Sequence, residues 1–153
     1  WGKLRPSSGQ IKTFITRSSK NRQLMVASTL KGKKAITNYK TLEIFENENT
    51  PTLSLVECKL ETGRTHQIRI HMKSIGHPLF NDPEYGGDRI LKGQSTTNYK
   101  RFVENAFELI PGQALHARSI GFIHPTTKKE INFEINIPEG FKKIIEKFEK
   151  IPT

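Results

Sequence analysis

At Thr62-Gly63-Arg64 the hydrophobic period of the chain changes, and that change decides which folds are open to it. Before it, Ile11 to Arg17 reads as a strand, Ser18 to Arg22 as a polar turn and Gln23 to Thr29 as a second strand. Gly32 interrupts the pattern, Ala35 to Phe45 is a long β-rich run, and Glu46-Asn47-Glu48-Asn49-Thr50-Pro51 is a turn cluster before the strand Leu53 to Leu60. Short spacing and polar turns predict antiparallel pairing. After the change, apolar residues recur at Ile68, Met72 and Ile75, one stripe of a helix. Thr65 is placed to cap that helix and Gly76 to close it.

A second helix is predicted over Tyr99 to Leu109, with Phe102, Val103, Ala106 and Phe107 inward and Pro111-Gly112 as its stop. Leu115 to His124 and Glu130 to Ile137 read as a hairpin around Pro125-Thr126-Thr127-Lys128. Ile131, Phe133, Ile135 and Ile137 alternate as a half-buried strand does. A last helix follows Pro138 and carries Phe141, Ile144, Ile145 and Phe148. The class is therefore α+β, a mixed, mainly antiparallel sheet with helices packed on it. No βαβ rhythm is present, which argues against Rossmann and P-loop folds.

At 153 residues, one domain is expected. No apolar run approaches the ~18 residues of a membrane helix, and no secretory signal opens the chain. It begins at Trp1-Gly2 without methionine, as a piece of a longer protein would. The single cysteine, Cys58, excludes an internal disulfide and fits a reducing cytoplasm; its strand setting predicts a packing role. The net charge of +10 points to a polyanionic partner.

The segment Leu60-Glu61-Thr62-Gly63-Arg64-Thr65-His66-Gln67-Ile68-Arg69-Ile70-His71 is the most informative. Gly63 allows a tight strand-to-helix turn. Arg64 stands at the helix start, where free N–H groups and the helix dipole favour phosphate. His66, Arg69 and Lys73 are spaced to form a basic face opposite the Ile68/Met72/Ile75 stripe. On spacing alone that face is either an anion site or simply solvated.

This segment, followed by Ile75-Gly76-His77-Pro78-Leu79 and Asp82-Pro83-Glu84-Tyr85-Gly86, resembles the signature of RluA-type RNA pseudouridine synthases. Gly32 to Tyr39, with Lys33 as its lysine, is similar to that family's Lys-x-Ala-x-Thr-x-Tyr segment. Gln113-Ala114-Leu115-His116-Ala117 and Gly121-Phe122-Ile123-His124-Pro125 resemble its Leu-His-Ala and His-Pro segments. The resemblance covers nearly the whole chain and implies the C-terminal part of a pseudouridine synthase catalytic domain. It implies isomerisation of uridine in RNA, ribosomal first and transfer RNA as the alternative, in the cytoplasm and without cofactor or metal. It says nothing of oligomeric state.

Residue by residue, the resemblance implies three catalytic positions: Arg69 as the partner of the nucleophilic aspartate, Tyr39 as the ring that stacks on the flipped uracil, and Leu115 as a pocket wall. Lys33, Arg64, His66 and Lys73 are the RNA-binding candidates. The family's nucleophile lies in a His-Arg-Leu-Asp segment that this chain lacks. Its two aspartates, Asp82 and Asp88, read as turn residues. The part of the catalytic domain carrying the nucleophile is therefore expected to be absent, along with any RNA-binding domain before it. The fragment alone is expected to be inactive. The rival reading is a non-catalytic RNA-binding module. His66 and His71 are five apart, a poor fit to a helical zinc pair, and no metal site is expected. No Gly-x-Ser-x-Gly elbow supports a hydrolase.

Overall fold

A computed structural model describes residues 1–48, 50–91 and 95–151. Its elements are β1 (Ser8–Arg17), β2 (Met25–Ser28), β3 (Lys33–Asn47), β4 (Thr50–Leu60), α1 (Gln67–Ser74), α2 (Thr97–Phe107), β5 (Ser119–Ile123), β6 (Glu130–Glu134) and α3 (Glu139–Phe148). β1 to β4 form one sheet in the order β2-β1-β3-β4, and every pairing is antiparallel. The expectation of a mixed sheet is corrected: strands joined by short turns return beside themselves, and no parallel pair forms among the described residues. Of the expected Glu46–Pro51 turn, Asn49 lies outside the described residues, while Thr50 and Pro51 already belong to β4.

Alternation decides which face of the sheet is covered. Ile11 and Ile15 of β1 and Ala35 and Thr37 of β3 are buried, whereas Lys12, Lys34 and Lys40, of the opposite parity on the same strands, are exposed. The buried face carries α1, which packs over β1, β2 and β3. Gly32 turns the chain between β2 and β3 at φ +115°, where a Cβ would collide with the Ile15 carbonyl.

The larger core lies toward the other end of the strands. Phe45 and Leu53 meet Phe80, Tyr99, Val103, Ala106, Ile144, Phe148 and Trp1 there. α2 starts where Thr96 accepts a hydrogen bond from the Tyr99 amide at 3.1 Å. The Tyr99 hydroxyl, buried beneath it, donates to the Pro51 carbonyl at 2.9 Å. α3 runs over the predicted segment after Pro138 and buries Ile144 and Phe148.

The β5–β6 hairpin forms at the predicted place. His124 organises its turn by accepting from the Thr126 and Thr127 amides, each at 3.1 Å. It is a separate two-stranded sheet, however, and the expected half-buried strand is not half-buried. Phe133, Ile135 and Ile137 are exposed, because no described element packs on that face.

Candidate functional site

α1 is fastened to the sheet by polar side chains. Gln67 Oε1 accepts from the Thr62 hydroxyl at 2.8 Å and the Arg64 amide at 3.0 Å. Its Nε2 donates to the Ile36 carbonyl and the Thr37 hydroxyl, both at 3.0 Å. One turn on, His71 sets Nδ1 2.7 Å from Thr37 Oγ1 and Nε2 2.9 Å from Thr13 Oγ1. Gln67 and His71 are buried, and burial holds the His71 imidazole below its ordinary 6.5, in the neutral form. A buried amide with four partners and a buried imidazole with two leave little freedom in how the helix sits.

That placement sets Arg69. Its Nε donates to Asp82 Oδ2 and its Nη2 to Asp82 Oδ1, each at 2.8 Å, a bidentate pair. Arg69 is 5% exposed and Asp82 0%. Asp82 Oδ1 also accepts from the Glu84 and Tyr85 amides at 3.1 and 3.2 Å. Burial pushes the Asp82 carboxyl up, but the Arg69 hydrogen bond and charge with these two amides outweigh it and hold the group below 3.8. Hydrogen bonding to Asp82 raises the Arg69 guanidinium in turn.

Around the pair stand Glu84, 3.4 Å from Arg69 Nη2, and the Tyr85 ring, whose centroid lies 4.8 Å from the guanidinium carbon. The Tyr85 hydroxyl meets His66 Nδ1 at 2.9 Å, and Lys73 Nζ lies 5.8 Å from the same ring. The loop that carries Asp82 closes on Gly87, whose amide donates to the Asp82 carbonyl at 2.7 Å. A Cβ on Gly87 would overlap the Leu79 carbonyl. This position therefore requires glycine for close backbone approach.

Several local expectations change. α1 buries Gln67, Arg69, Ile70, His71 and Met72 rather than the Ile68/Met72/Ile75 stripe, and Ile75 is exposed. Arg69 is thus not part of a solvated basic face; a carboxylate thirteen positions on allows it to be buried. Thr65 is not the cap. His66 occupies that place in left-handed conformation at φ 55°, with no side-chain capping bond. Gly76 does close the helix, at φ +85°. Gly63 needs no special conformation, and space around it is open. Burial and the Glu57 charge push the Cys58 thiol up to about 11, in keeping with packing rather than nucleophilic chemistry.

Tyr39 lies on β3, Arg69 on α1 and Leu115 on the segment before β5. Tyr39 packs against the cluster of Leu4, Ile11 and Met72, and its hydroxyl donates to the Pro6 carbonyl at 3.1 Å. It lines a cleft of about 420 Å³ with Arg5, Lys12 and His77. Leu115 is exposed on the segment before β5 and lines a second cleft, of about 480 Å³, with Leu109, Ile110 and Phe141. Arg69 lines neither cleft.

Among the RNA candidates, Arg64 donates from Nε to the Lys34 carbonyl at 3.0 Å, which places it beside the exposed Lys33. His66 and Lys73 gather at Tyr85 instead. Sequence reasoning missed Asp82, read as a turn residue only. It does organise a turn, and it also neutralises Arg69. The available signal was that a chain with just two aspartates places one of them thirteen positions after the motif arginine Arg69. No group of three or more His, Cys, Asp and Glu among the described residues is placed to hold a metal. No helix among them is long and apolar enough to cross a membrane.

Comparison with known proteins agrees with the motif reading. The family described as RNA pseudouridylate synthase matches residues 3–74. An uncharacterized RNA pseudouridine synthase of Chlorobaculum parvum is 38% identical over 158 aligned positions, covering 100% of this chain and 46% of that protein. The ribosomal large subunit pseudouridine synthase D of Zymomonas mobilis is 40% identical over 135, covering 88% of this chain and 38% of its own. The chain thus spans less than half the length of these curated relatives. Among solved structures, human RNA Pseudouridylate Synthase Domain Containing 1 superposes with a TM-score of 0.63 at 20% identity, over 99% of this chain and 63% of that one, a likeness of fold.

Proposed function

The chain belongs to the RNA pseudouridylate synthase family, of the RluA type, and on that premise we propose that the protein isomerises uridine to pseudouridine in RNA. Large-subunit ribosomal RNA is the first substrate class, because relatives such as the Zymomonas mobilis protein are named for it; transfer RNA is the alternative. The site of action is the cytoplasm. In the reaction the bond from ribose C1′ to uracil N1 breaks and a bond from C1′ to C5 forms. C5 loses a proton and N1 gains one. Atoms balance, and no oxidant or reductant is called for.

Arg69 is the observation that carries this reading. Its Nε and Nη2 are held by Asp82, while Nη1 donates to no described residue. A guanidinium fixed along one edge presents its remaining N–H groups in a set direction. That suits it to orient a second carboxylate, the nucleophile of the resemblance. Asp82 itself is a poor candidate for that nucleophile: it is fully buried and both its oxygens are engaged. Asp88, exposed after Gly87, has no such setting. The nucleophile therefore comes from a part of the catalytic domain outside these 153 residues, and the chain alone is inactive. Tyr39 and Leu115 keep their proposed roles on resemblance alone. Lys33 and Arg64 at one end of β3, with His66 and Lys73 at Tyr85, supply the proposed phosphate contacts.

The test is release of tritium from RNA labelled at uracil C5. The full-length protein should release it from ribosomal RNA, and the 153-residue chain should not. Full-length protein that binds RNA and releases none would replace this reading with a non-catalytic RNA-binding module.

A further inference from the structure

We propose that Tyr85 is a positioning residue for the isomerisation: from one buried place it fixes Arg69 with its ring and His66 with its hydroxyl. This rests on the proposed function and deepens it, because Tyr85 acts through two residues already assigned to the site.

The three tyrosines of the chain use their hydroxyls differently. Tyr39 donates to the Pro6 carbonyl at 3.1 Å and Tyr99 to the Pro51 carbonyl at 2.9 Å, so both tie backbone to backbone. Tyr85 is 3% exposed and packs among Ile15, Ala35 and Ile70, yet its hydroxyl meets a side chain, His66 Nδ1, at 2.9 Å. Burial pushes the Tyr85 phenol up, so it stays protonated and can donate. A neutral His66 that accepts at Nδ1 carries its own proton on Nε2. That N–H is a donor for a phosphate or a base edge of RNA, and the His66 side chain is 32% exposed, enough to offer it.

The backbone of His66 gives an independent sign that the residue is placed for a purpose. It takes the left-handed conformation at φ 55°, at the start of α1, and makes no side-chain capping bond. A Ser, Thr or Asp there would cap the helix. His66 instead gives its Nδ1 to Tyr85, with the two rings edge to face at 5.7 Å and 81°. Left-handed non-glycine residues persist where their surroundings over-determine them, and they gather at functional sites.

The ring of Tyr85 supplies the second hold. The Arg69 guanidinium carbon lies 4.8 Å from its centroid and Lys73 Nζ 5.8 Å, both within cation–π range. Asp82 grips one edge of the guanidinium, at Nε and Nη2. An edge held alone leaves the plane free to tip about that edge. An aromatic ring against the face removes this freedom. Arg69 Nη1 and His66 Nε2 are thus aimed by one side chain.

The experiment measures tritium release by the full-length protein as kcat and KM for ribosomal RNA, with urea unfolding on the same samples. Tyr85→Phe keeps the ring and loses the hydroxyl, so KM should rise about fivefold while kcat falls less than about twofold. His66→Ala should raise KM to the same extent. The double variant should be no worse than His66→Ala alone, because the hydroxyl acts through the imidazole. Tyr85→Met fills the space without a ring and should also lower kcat by about tenfold or more. A tyrosine that only packs the core would lower stability without separating kcat from KM. Wild-type KM in Tyr85→Phe, additive losses in the double variant, or equal kcat in Tyr85→Met and Tyr85→Phe would each overturn the proposal. Should Tyr85→Met unfold, the cycle through Tyr85→Phe and His66→Ala decides alone. An active wild type with unaltered variants sinks this inference only, whereas an inactive wild type sinks the enzyme reading beneath it.

Discussion

α1 and the β5–β6 hairpin are opposites. Under α1 the buried side chains are polar, and they are partnered: Gln67 with Thr37 and Thr62, His71 with Thr13 and Thr37, Arg69 with Asp82. On the hairpin Ile120, Phe122, Ile123, Phe133 and Ile135 are apolar and exposed. A buried polar group tolerates only a matched partner, so the α1 contact fixes one geometry. An apolar face accepts any complementary cover, and its own residues do not say which. The first region satisfies its buried polar groups with partners of its own, and the second leaves apolar side chains in solvent.

The largest effect is expected at the Arg69–Asp82 pair. Asp82→Ala should cost about 3–5 kcal/mol in urea unfolding, because it leaves the Arg69 charge buried without its partner. A loss under ~1 kcal/mol would mean that α1 does not need the pair. Acid titration should show the same region next. The His71 pKa is lowered in the fold, so the unfolded chain takes up a proton below its ordinary 6.5 that the native chain refuses. Stability should fall as pH drops through that range, by up to about 1.4 kcal/mol per pH unit, and should not rise. Asp82, also lowered, adds a second loss only below its ordinary 3.8. His71→Gln should remove the upper slope and leave the lower. The smallest effect is expected on the hairpin. In the 153-residue chain, Phe133→Ser should alter stability by no more than about 0.5 kcal/mol, since its ring is already in water. A loss above ~1.5 kcal/mol would show that the face is covered within this chain after all.

These differences also explain what was legible in the sequence. Element order and class followed from period changes and turn residues, as at Gly32 and Gly76, where positive φ favours glycine. Alternation in Ile131, Phe133 and Ile135 correctly marked one face of a strand, yet pattern reports that a face is to be covered and not by what. The helix stripe was misread for the opposite reason. Arg69, His71 and Gln67 count as polar in any periodicity, and only partners distant in sequence let them be buried. Arg69 was reached through its motif. Asp82 was not, because an aspartate before proline has an adequate local role as a turn residue. Tyr39, also taken from a motif, sits at a cleft that Arg69 does not line, and its role rests on resemblance.

We propose that Arg69 serves the chemistry in addition to its ion pair with Asp82. Arg69→Lys in the full-length protein tests it most directly, with tritium release and urea unfolding measured on the same sample. Lysine keeps the charge near Asp82 and loses the guanidinium fork. The account predicts a folded protein whose rate on ribosomal RNA falls about 100-fold, as loss of orientation at a reacting centre does. A folded variant that isomerises uridine at the wild-type rate would contradict it.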